Sequence, residues 1–517
     1  MEPLDTVSQA QREGNRKPQP QTVGLLSISE RIQYPIYVLC LVVSISIWFV
    51  AIRAPLWLDE TVSIFLIKGG FSGIMSRQVW PDAPAYSCIL WLWTKATGRG
   101  EVTLRILSVL VMLGAVYLLY RSARILFDRD VAIIAAVIFC VDPIVIFASI
   151  DIRPYAFAVL AITSSIFILL RLRHNNSSWL AALFGFSAAC IVYLQLLFAV
   201  ILPALAICFL APKIGDRKTL VRQLGVALVV FALAFLPVIP RLHYMFHTSG
   251  THVFSPAPPL MELFETLASR KLALIFAGTV LLASASRRLN LKGPLEAWPT
   301  WLCALLALVP ILTLYGVSVG TSIHVFVSRY RLVAIPGIAL CWALGVSRID
   351  SRTLRLVFCV ALVAATAFRY FKNPIFAHHG YTWKYALDLA QKNASVDGAP
   401  VLICSDLPES DYMRMPVGSA VEDSGILAPI SYYKLTVPVV PLPRALNDEA
   451  IRSGSRFVQQ AAERHERFLV LGFTASYATL GWLATYSEGS YYVHELGVFD
   501  GVKVLEFRPR DRTDAVP

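Results

Sequence analysis

Three short stretches hold residues whose types and spacing suit chemistry. Asp59 and Glu60 directly follow Ala54-Pro55-Leu56-Trp57-Leu58, so a carboxylate pair is held against apolar neighbours. Loss of water there disfavours the charged form and lifts a carboxyl toward the range of a general base. Consecutive helical residues diverge by about 100°, so only one of the two points easily into a site, and Asp59 is the choice. The same pair also suits the start of a surface helix near Thr61, where acids offset exposed backbone N–H groups. Asp151-Ile152-Arg153-Pro154-Tyr155 puts an acid, a base and a helix-starting proline within one tight turn. An arginine at that end opposes the helix dipole, so Arg153 answers an anion or an acidic neighbour, the simpler alternative being a local pair with Asp151. Ser328-Arg329-Tyr330-Arg331 offers two guanidinium groups and a phenol, a set that can grip a phosphate.

The elements that must position these groups are set by composition. The chain has 517 residues, of which 56% are hydrophobic and 15% charged, and its mean hydropathy is +0.61, a balance that makes a bilayer its main solvent. The formal net charge is +12, yet the basic residues are scattered in short clusters between apolar runs, which reads as membrane topology and excludes nucleic acid as a partner. Apolar runs of about 20 residues occur near 34–52, 104–120, 131–149, 155–171, 179–193, 196–211, 221–239, 271–285, 299–320, 332–347 and 354–371, giving eleven expected spans. The weakest of these is the closely spaced pair around Tyr193 to Gln195, which also suits one kinked region. Arg121, Arg124 and Arg129, Lys213 to Arg222, Arg287 to Lys292 and Arg348 to Arg355 fall in alternate loops. By the positive-inside rule those loops and the N-terminus are cytoplasmic, and an odd number of spans places the C-terminus outside. The candidate acids and arginines then cluster at the outer ends of the spans. Asp142-Pro143 lies in the outer half of the third span, as a kink or as a cavity-lining acid.

The domain organisation follows: a polar tail at 1–32, a membrane domain at 33–371 that includes a long outer loop at 53–103, and a soluble extracytoplasmic domain at 372–517. In the outer loop, Ala85 to Trp93 suits an interfacial helix. In the last domain, helices are expected at Thr382–Asn393 and Gly454–Glu466, strands at Pro400–Ser405 and Arg467–Phe473, and a strand pair across Tyr491–Phe507 turning near Asp500-Gly501. The fold class expected is therefore a mainly α-helical polytopic membrane protein with a C-terminal α/β domain. Cysteines such as Cys40, Cys140 and Cys303 stand singly in apolar runs and serve as filler. His243, His247 and His252 fit no standard metal spacing and are read as loop residues.

Together these stretches resemble the membrane glycosyltransferases of the C superfamily, in particular the set related to protein O-mannosyltransferases and aminoarabinose-lipid A transferases. The resemblance covers roughly residues 50–345 and is carried by Pro55 to Glu60, Pro84-Ala85-Tyr86 with Leu90 to Trp93, Leu104 to Ser108, Asp151 to Ala156, and Ser328-Arg329-Tyr330 with Pro336. It implies that Asp59 is the catalytic base and that Glu60 matches the second acid of the pair, with Asp151 as a further catalytic candidate. Asp82, Tyr86, Arg153, Tyr155, Arg329 and Tyr330 are the substrate-binding candidates. Where the family often has His-Pro-Pro-Leu-Tyr, this chain reads Asp82-Ala83-Pro84-Ala85-Tyr86, so the role given to that histidine does not carry over.

The implied donor is a polyprenyl-phosphate sugar, because an outward site without a cytoplasmic nucleotide-binding unit needs a sugar already in the membrane. The acceptor is a lipid, a glycan or a protein, and membrane lipids are the surrounding partners. No cofactor is required by this reading, although a divalent metal ion between Asp59 and Asp151 stays open. The expected location is a bacterial inner membrane. A transporter or flippase of lipid-linked sugars is the alternative, and it predicts charges near the bilayer midplane and broken helices in two similar halves. A glycan-binding receptor without activity is the third reading.

Overall fold

Long apolar runs form helices because every backbone polar group in hydrocarbon must be satisfied within its own segment. The computed structural model describes residues 30–76, 83–211, 217–239, 242, 256–289, 297–373, 382–404, 407 and 427–510. Among the described residues, seven helices are long and apolar enough to cross a membrane, or nine if each of two bent pairs is one span.

The first span combines α1 (Glu30–Ser46) with a 3-10 turn at Ile47–Ala51. Three short helices then lie across one end of the bundle: α2 (Leu58–Leu66), α3 (Gly70–Ser76) and α4 (Pro84–Thr97). In α4, Tyr86 and Leu90 face inward while Ile89 and Leu92 are exposed, the two-sided pattern of a surface helix. It stops at Gly98, whose φ of 88° suits a residue without a side chain. The bundle continues with α5 (Glu101–Leu126), α6 (Arg129–Cys140), α7 (Pro143–Ile150), α8 (Tyr155–His174), α9 (Ser178–Leu194), α10 (Leu202–Leu210) and α11 (Arg217–Phe235). It closes with α12 (Leu260–Leu267), α13 (Arg270–Ala285), α14 (Ala297–Gly320), the single turn α15 (Ser328–Arg331), α16 (Ile335–Val346) and α17 (Arg352–Lys372).

One expected span is bent, and a second bend lies just ahead of another. The run expected at 131–149 is α6 plus α7, with a bend of 69°. Its cause is local: Asp142 Oδ1 accepts the Ile144 backbone N–H (2.8 Å) as a helix cap, and Pro143 cannot continue the preceding helix. The second bend, 55° between α12 and α13, lies where Ser269 caps α13. The stretches expected at 179–193 and 196–211 are two separate apolar helical segments, Ser178–Leu194 and Leu196–Leu210, shorter than the helices counted above.

Packing is close enough for two glycines to be required. A side-chain carbon at Gly185 would sit 2.2 Å from the Ala227 carbonyl oxygen, and one at Gly337 2.4 Å from the Leu306 carbonyl carbon. These sites let α9 meet α11 and α14 meet α16 backbone to backbone. From Val131 to Cys140 every residue of α6 is buried, as befits a helix apolar on all sides. At one end of the bundle the basic loops draw together: Arg355 pairs with Asp128 (2.6 Å), Arg352 with Asp130 (3.6 Å), and Arg129 lies over the Tyr34 ring. The opposite end carries Asp59.

Beyond α17, α18 (Trp383–Ala394), α19 (Ala428–Tyr433), α20 (Asp448–Glu463) and α21 (Tyr477–Ser487) surround a five-stranded sheet. Its strands are β1 (Val401–Cys404), β2 (Val439–Leu442), β3 (Phe468–Gly472), β4 (Tyr491–Phe499) and β5 (Val502–Pro509), in the order β2-β1-β3-β5-β4. β2, β1 and β3 are parallel, and β5 and β4 complete the sheet antiparallel. Alternation along β1 sends Val401 and Ile403 to the core under α18, and Leu402 and Cys404 to the core under α20 and α21. The β4–β5 turn falls at Asp500-Gly501, both with positive φ. The helix expected at Gly454–Glu466 starts six residues earlier, after Asn447 caps Ala450. The sequence reading passes over β2, α19 and α21. The expected helix and strands around residues 383, 401, 468, 491 and 502 are all present.

Candidate active site

The apolar run ending at Trp57 turns into α2, and the Trp57 backbone N–H donates to Glu60 Oε2 (3.2 Å). That bond sets the first turn and sends the two acids to different places. Glu60 points inward and is 0% exposed. Arg105, one turn into α5, donates from Nε to Glu60 Oε1 (3.0 Å) and from Nη2 to Oε2 (2.6 Å). Its remaining N–H groups reach the carbonyls of Ile52, Ala54 and Pro55, and the Ile152 backbone N–H adds a further bond to Glu60 (3.2 Å). A buried ion pair with its hydrogen bonds filled thus ties together the end of the first span, α5 and the turn before α8.

Asp59 faces the other way. Its side chain is 19% exposed and its Oδ2 lies 3.0 Å from Arg329 Nη1, whose own side chain is 28% exposed. The Arg329 guanidinium stands 5.2 Å from the centre of the Tyr330 ring. Arg153 donates weakly to the Asp59 carbonyl (3.5 Å) and to Ser63 Oγ (3.4 Å). Arg153, Asp59, Tyr155 and Tyr330 all lie within electrostatic reach of Arg329.

Asp151 sits behind this cluster, 1% exposed. Its Oδ1 accepts the Trp57 indole N–H (3.1 Å), its carbonyl accepts Ser108 Oγ (2.6 Å), and its Oδ2 is buried without a hydrogen-bond partner. Burial pushes its carboxyl well above the usual range, with the charge of Glu60 adding to the rise and Arg153 and the Trp57 indole opposing it. Hydrogen bonds send Asp151 to Trp57 and Arg153 toward α2, while the Arg153 charge still acts on Asp151, in keeping with the local pair weighed from the sequence.

The structure thus brings Asp59, Asp151, Arg153, Tyr155, Arg329 and Tyr330 to one rim. It treats the others differently. Tyr86 is 1% exposed and packs edge-on against Phe157, with ring centres 5.6 Å apart. Tyr155 is also enclosed, 2% exposed. Asp82, His243, His247 and His252 lie outside the described residues. Arg331 does not share a phosphate grip with Arg329: it donates to Thr266 Oγ1 (2.7 Å) and pairs with Glu262 (3.2 Å). Positions two apart on a helix differ by about 200°, so the two arginines leave α15 on opposite sides.

Sequence reasoning also gives no role to three residues. Arg105 is an arginine at the rim of an apolar span, the same signal that singles out Arg329. Trp57 is hydrogen-bonded to Asp151 through its indole N–H. Tyr433 of α19 accepts the Leu56 backbone N–H (2.8 Å) and donates to Glu101 (3.2 Å), so the C-terminal domain holds the segment that leads to Asp59. Lys384 joins that contact, 3.5 Å from Glu101. Nothing in the sequence points to Tyr433.

Among the described residues no three His, Cys, Asp or Glu side chains gather as a metal site. Asp59 is held by a guanidinium and Asp151 by an indole, so the pair does not fit a divalent cation that needs several oxygen ligands.

Comparison with known proteins bears on this geometry. Residues 81–244 match the family model described as dolichyl-phosphate-mannose-protein mannosyltransferase. Curated proteins give no match. Among solved structures, ArnT from Cupriavidus metallidurans bound to undecaprenyl phosphate superposes with a TM-score of 0.53 at 12% identity, over 91% of this chain and 97% of that one. The same protein in the apo state gives 0.51 at 11% identity, over 92% and 98%. The protein is thus a multi-pass membrane protein that shares the fold of ArnT from Cupriavidus metallidurans and, over residues 81–244, resembles the dolichyl-phosphate-mannose-protein mannosyltransferases.

Proposed function

We propose that the protein transfers a sugar from a polyprenyl-phosphate donor to an acceptor hydroxyl at the extracytoplasmic rim of the membrane, with eleven spans, a cytoplasmic N-terminus and an extracytoplasmic C-terminal domain in a bacterial inner membrane. The reading rests above all on the Asp59–Arg329 pair, a carboxylate and a guanidinium 3.0 Å apart and both partly open. The match of residues 81–244 to a family acting with a dolichyl-phosphate sugar, and the bound undecaprenyl phosphate of ArnT, support the class of donor.

In this mechanism the donor phosphate takes over Arg329, and Asp59 is released toward the acceptor. Asp59 accepts the hydroxyl proton as the acceptor oxygen bonds to the anomeric carbon. The bond from that carbon to the phosphate oxygen breaks with its electron pair, and Arg329 and Arg153 neutralise the departing polyprenyl phosphate. A single displacement inverts the anomeric centre. Glu60 acts as a positioning residue through Arg105, and Asp151 positions Trp57. Tyr86 and Tyr155 wall the site.

Two bent helix pairs are the one feature the transport reading also asks for. Yet the Asp59–Arg329 cluster stands at the rim, where a flippase has no use for a base. The test supplies purified protein with radiolabelled polyprenyl-phosphate sugars and follows transfer. Asp59→Asn is expected to lose about 100-fold or more, and Arg329→Ala to lose activity with it. Transfer at the wild-type rate by both variants refutes the reading.

A further inference from the structure

In the proposed reaction the donor phosphate is met by Arg329, which rides on α15, a single turn of four residues without a side-chain cap. One turn of helix does not hold itself, because its first hydrogen bonds do not offset the cost of fixing its residues. Its direction comes from the chain on either side and from what its other residues grip. On the incoming side, buried Ser318 near the end of α14 accepts the backbone N–H groups of Val325 and Phe326 on its Oγ (2.8 Å each). The Phe326 ring packs edge-on against Tyr315, with ring centres 5.3 Å apart. On the other side Arg331 reaches α12. Its Nη1 donates to Thr266 Oγ1 (2.7 Å) and pairs with Glu262 (3.2 Å), two residues one turn apart on that helix. The Arg331 guanidinium also stands 5.2 Å from the centre of the Phe326 ring.

Close packing does not lock α12 in place. Its residues Leu260, Met261 and Phe264 are exposed, and Glu265, Thr266 and Leu267 border a cavity of about 420 Å3 that Asp142, Ile338 and Thr366 also line. Trp342 of α16 fixes the far end of α12 by donating its indole N–H to the Leu267 carbonyl (3.0 Å). The Arg331 side chain is 13% exposed, and its Nε is buried without a hydrogen-bond partner among the described residues. An arginine with an orphaned N–H adds little to stability, since an apolar residue in its place strands no donor. What it supplies is direction. We infer that Arg331 is a positioning residue, whose grip on Glu262 and Thr266 sets the angle of α15 and so holds Arg329 at Asp59, ready for the donor phosphate. The inference rests on the proposed transfer reaction, in which Arg329 takes that phosphate.

The experiment measures equilibrium binding of radiolabelled undecaprenyl phosphate by the full chain in mild detergent, with thermal unfolding and amide hydrogen exchange on each variant. Exchange is read at Tyr330, whose N–H closes the α15 turn on the Val327 carbonyl (3.0 Å). Arg331→Met is expected to unfold near the wild-type temperature, to speed exchange at Tyr330 and to bind about 10-fold to 100-fold more weakly, the scale of a small misplacement. Thr266→Val is expected to shift binding the same way, and Thr266→Ser, which keeps the hydroxyl, to restore it. In an Arg329→Ala background, Arg331→Met is expected to change binding no further, because it acts through Arg329. Equal binding by wild type and Arg331→Met overturns the inference, as does the same fold-loss in the Arg329→Ala background. Loss of binding in step with a falling unfolding temperature across the variants also overturns it, because the role is then structural. Failure of the transfer reading looks different: wild type moves no sugar, while exchange at Tyr330 still reports the hold of Arg331 on α15.

Discussion

Replacing two adjacent acids separates a role in chemistry from a role in the fold. Glu60→Ala leaves Arg105 charged at 0% side-chain exposure and without its carboxylate partner, beside the carbonyls of Ile52, Ala54 and Pro55. Removing one partner of a buried pair costs about 3–5 kcal/mol, a large share of the roughly 5–15 kcal/mol that holds a typical domain folded. Asp59→Asn breaks a pair whose side chains are 19% and 28% exposed, where partial hydration keeps the loss at about 1 kcal/mol or less. Its cost falls on the reaction instead, since removing a general base slows the step by about 100-fold to 10,000-fold. The assay is thermal unfolding in detergent alongside sugar transfer, for each variant and for Glu60→Ala/Arg105→Met. The double variant is expected to recover most of the stability, because replacing a whole buried pair by apolar groups is close to neutral. The reasoning fails if Glu60→Ala unfolds at the wild-type temperature, or if Asp59→Asn loses as much stability as Glu60→Ala.

Other perturbations have equally direct readouts. Asp151 holds its proton more tightly folded than unfolded, so the folded state binds the extra proton between the ordinary carboxyl value of about 3.9 and its own raised value. Stability is therefore greatest below that window and falls as pH rises through it. Asp151→Asn is expected to flatten this slope and stabilise the protein at neutral pH, which a pH series of unfolding midpoints checks. Gly185→Ala would place a methyl carbon 2.2 Å from the Ala227 carbonyl oxygen. It should lower stability by about 1–3 kcal/mol, measured by the unfolding midpoint, with Gly225→Ala, where nothing lies within 4 Å, as the tolerated control. Tyr433→Phe removes the acceptor of the Leu56 N–H at about 1–3 kcal/mol. Hydrogen exchange at Leu56 is expected to speed up and transfer to slow, and unchanged exchange refutes the latch.

Apolar length is a property of the chain alone, so the helices around 104–120, 155–171, 299–320 and 354–371 are legible in the sequence, as is the grouping of Arg129, Arg352 and Arg355 at one end. Continuous apolar strands such as 401–404 and 468–472 are legible for the same reason, and the Asp500-Gly501 turn shows in its residue types. β2 escapes because four residues flanked by Pro438, with Pro441 inside, carry no strand periodicity. α21 escapes because its mix of small, aromatic and polar residues has no clear apolar stripe. The bend at Asp142 shows in the Asp-Pro pair, but the choice between kink and cavity acid does not. It takes the neighbouring α12, α13 and α17 to enclose the space beside it.

The sequence by itself showed that acids and arginines stand at the ends of apolar runs, and that only one of the adjacent Asp59 and Glu60 can easily face a site. Only the tertiary structure decided the roles of the rest. Glu60 meets Arg105 from 45 residues away, Asp59 meets Arg329 from 270 away, and Tyr433 reaches Leu56 from 377 away. The cost of a charge depends on the water and partners around it, and those are supplied by segments whose spacing along the chain says nothing about their meeting.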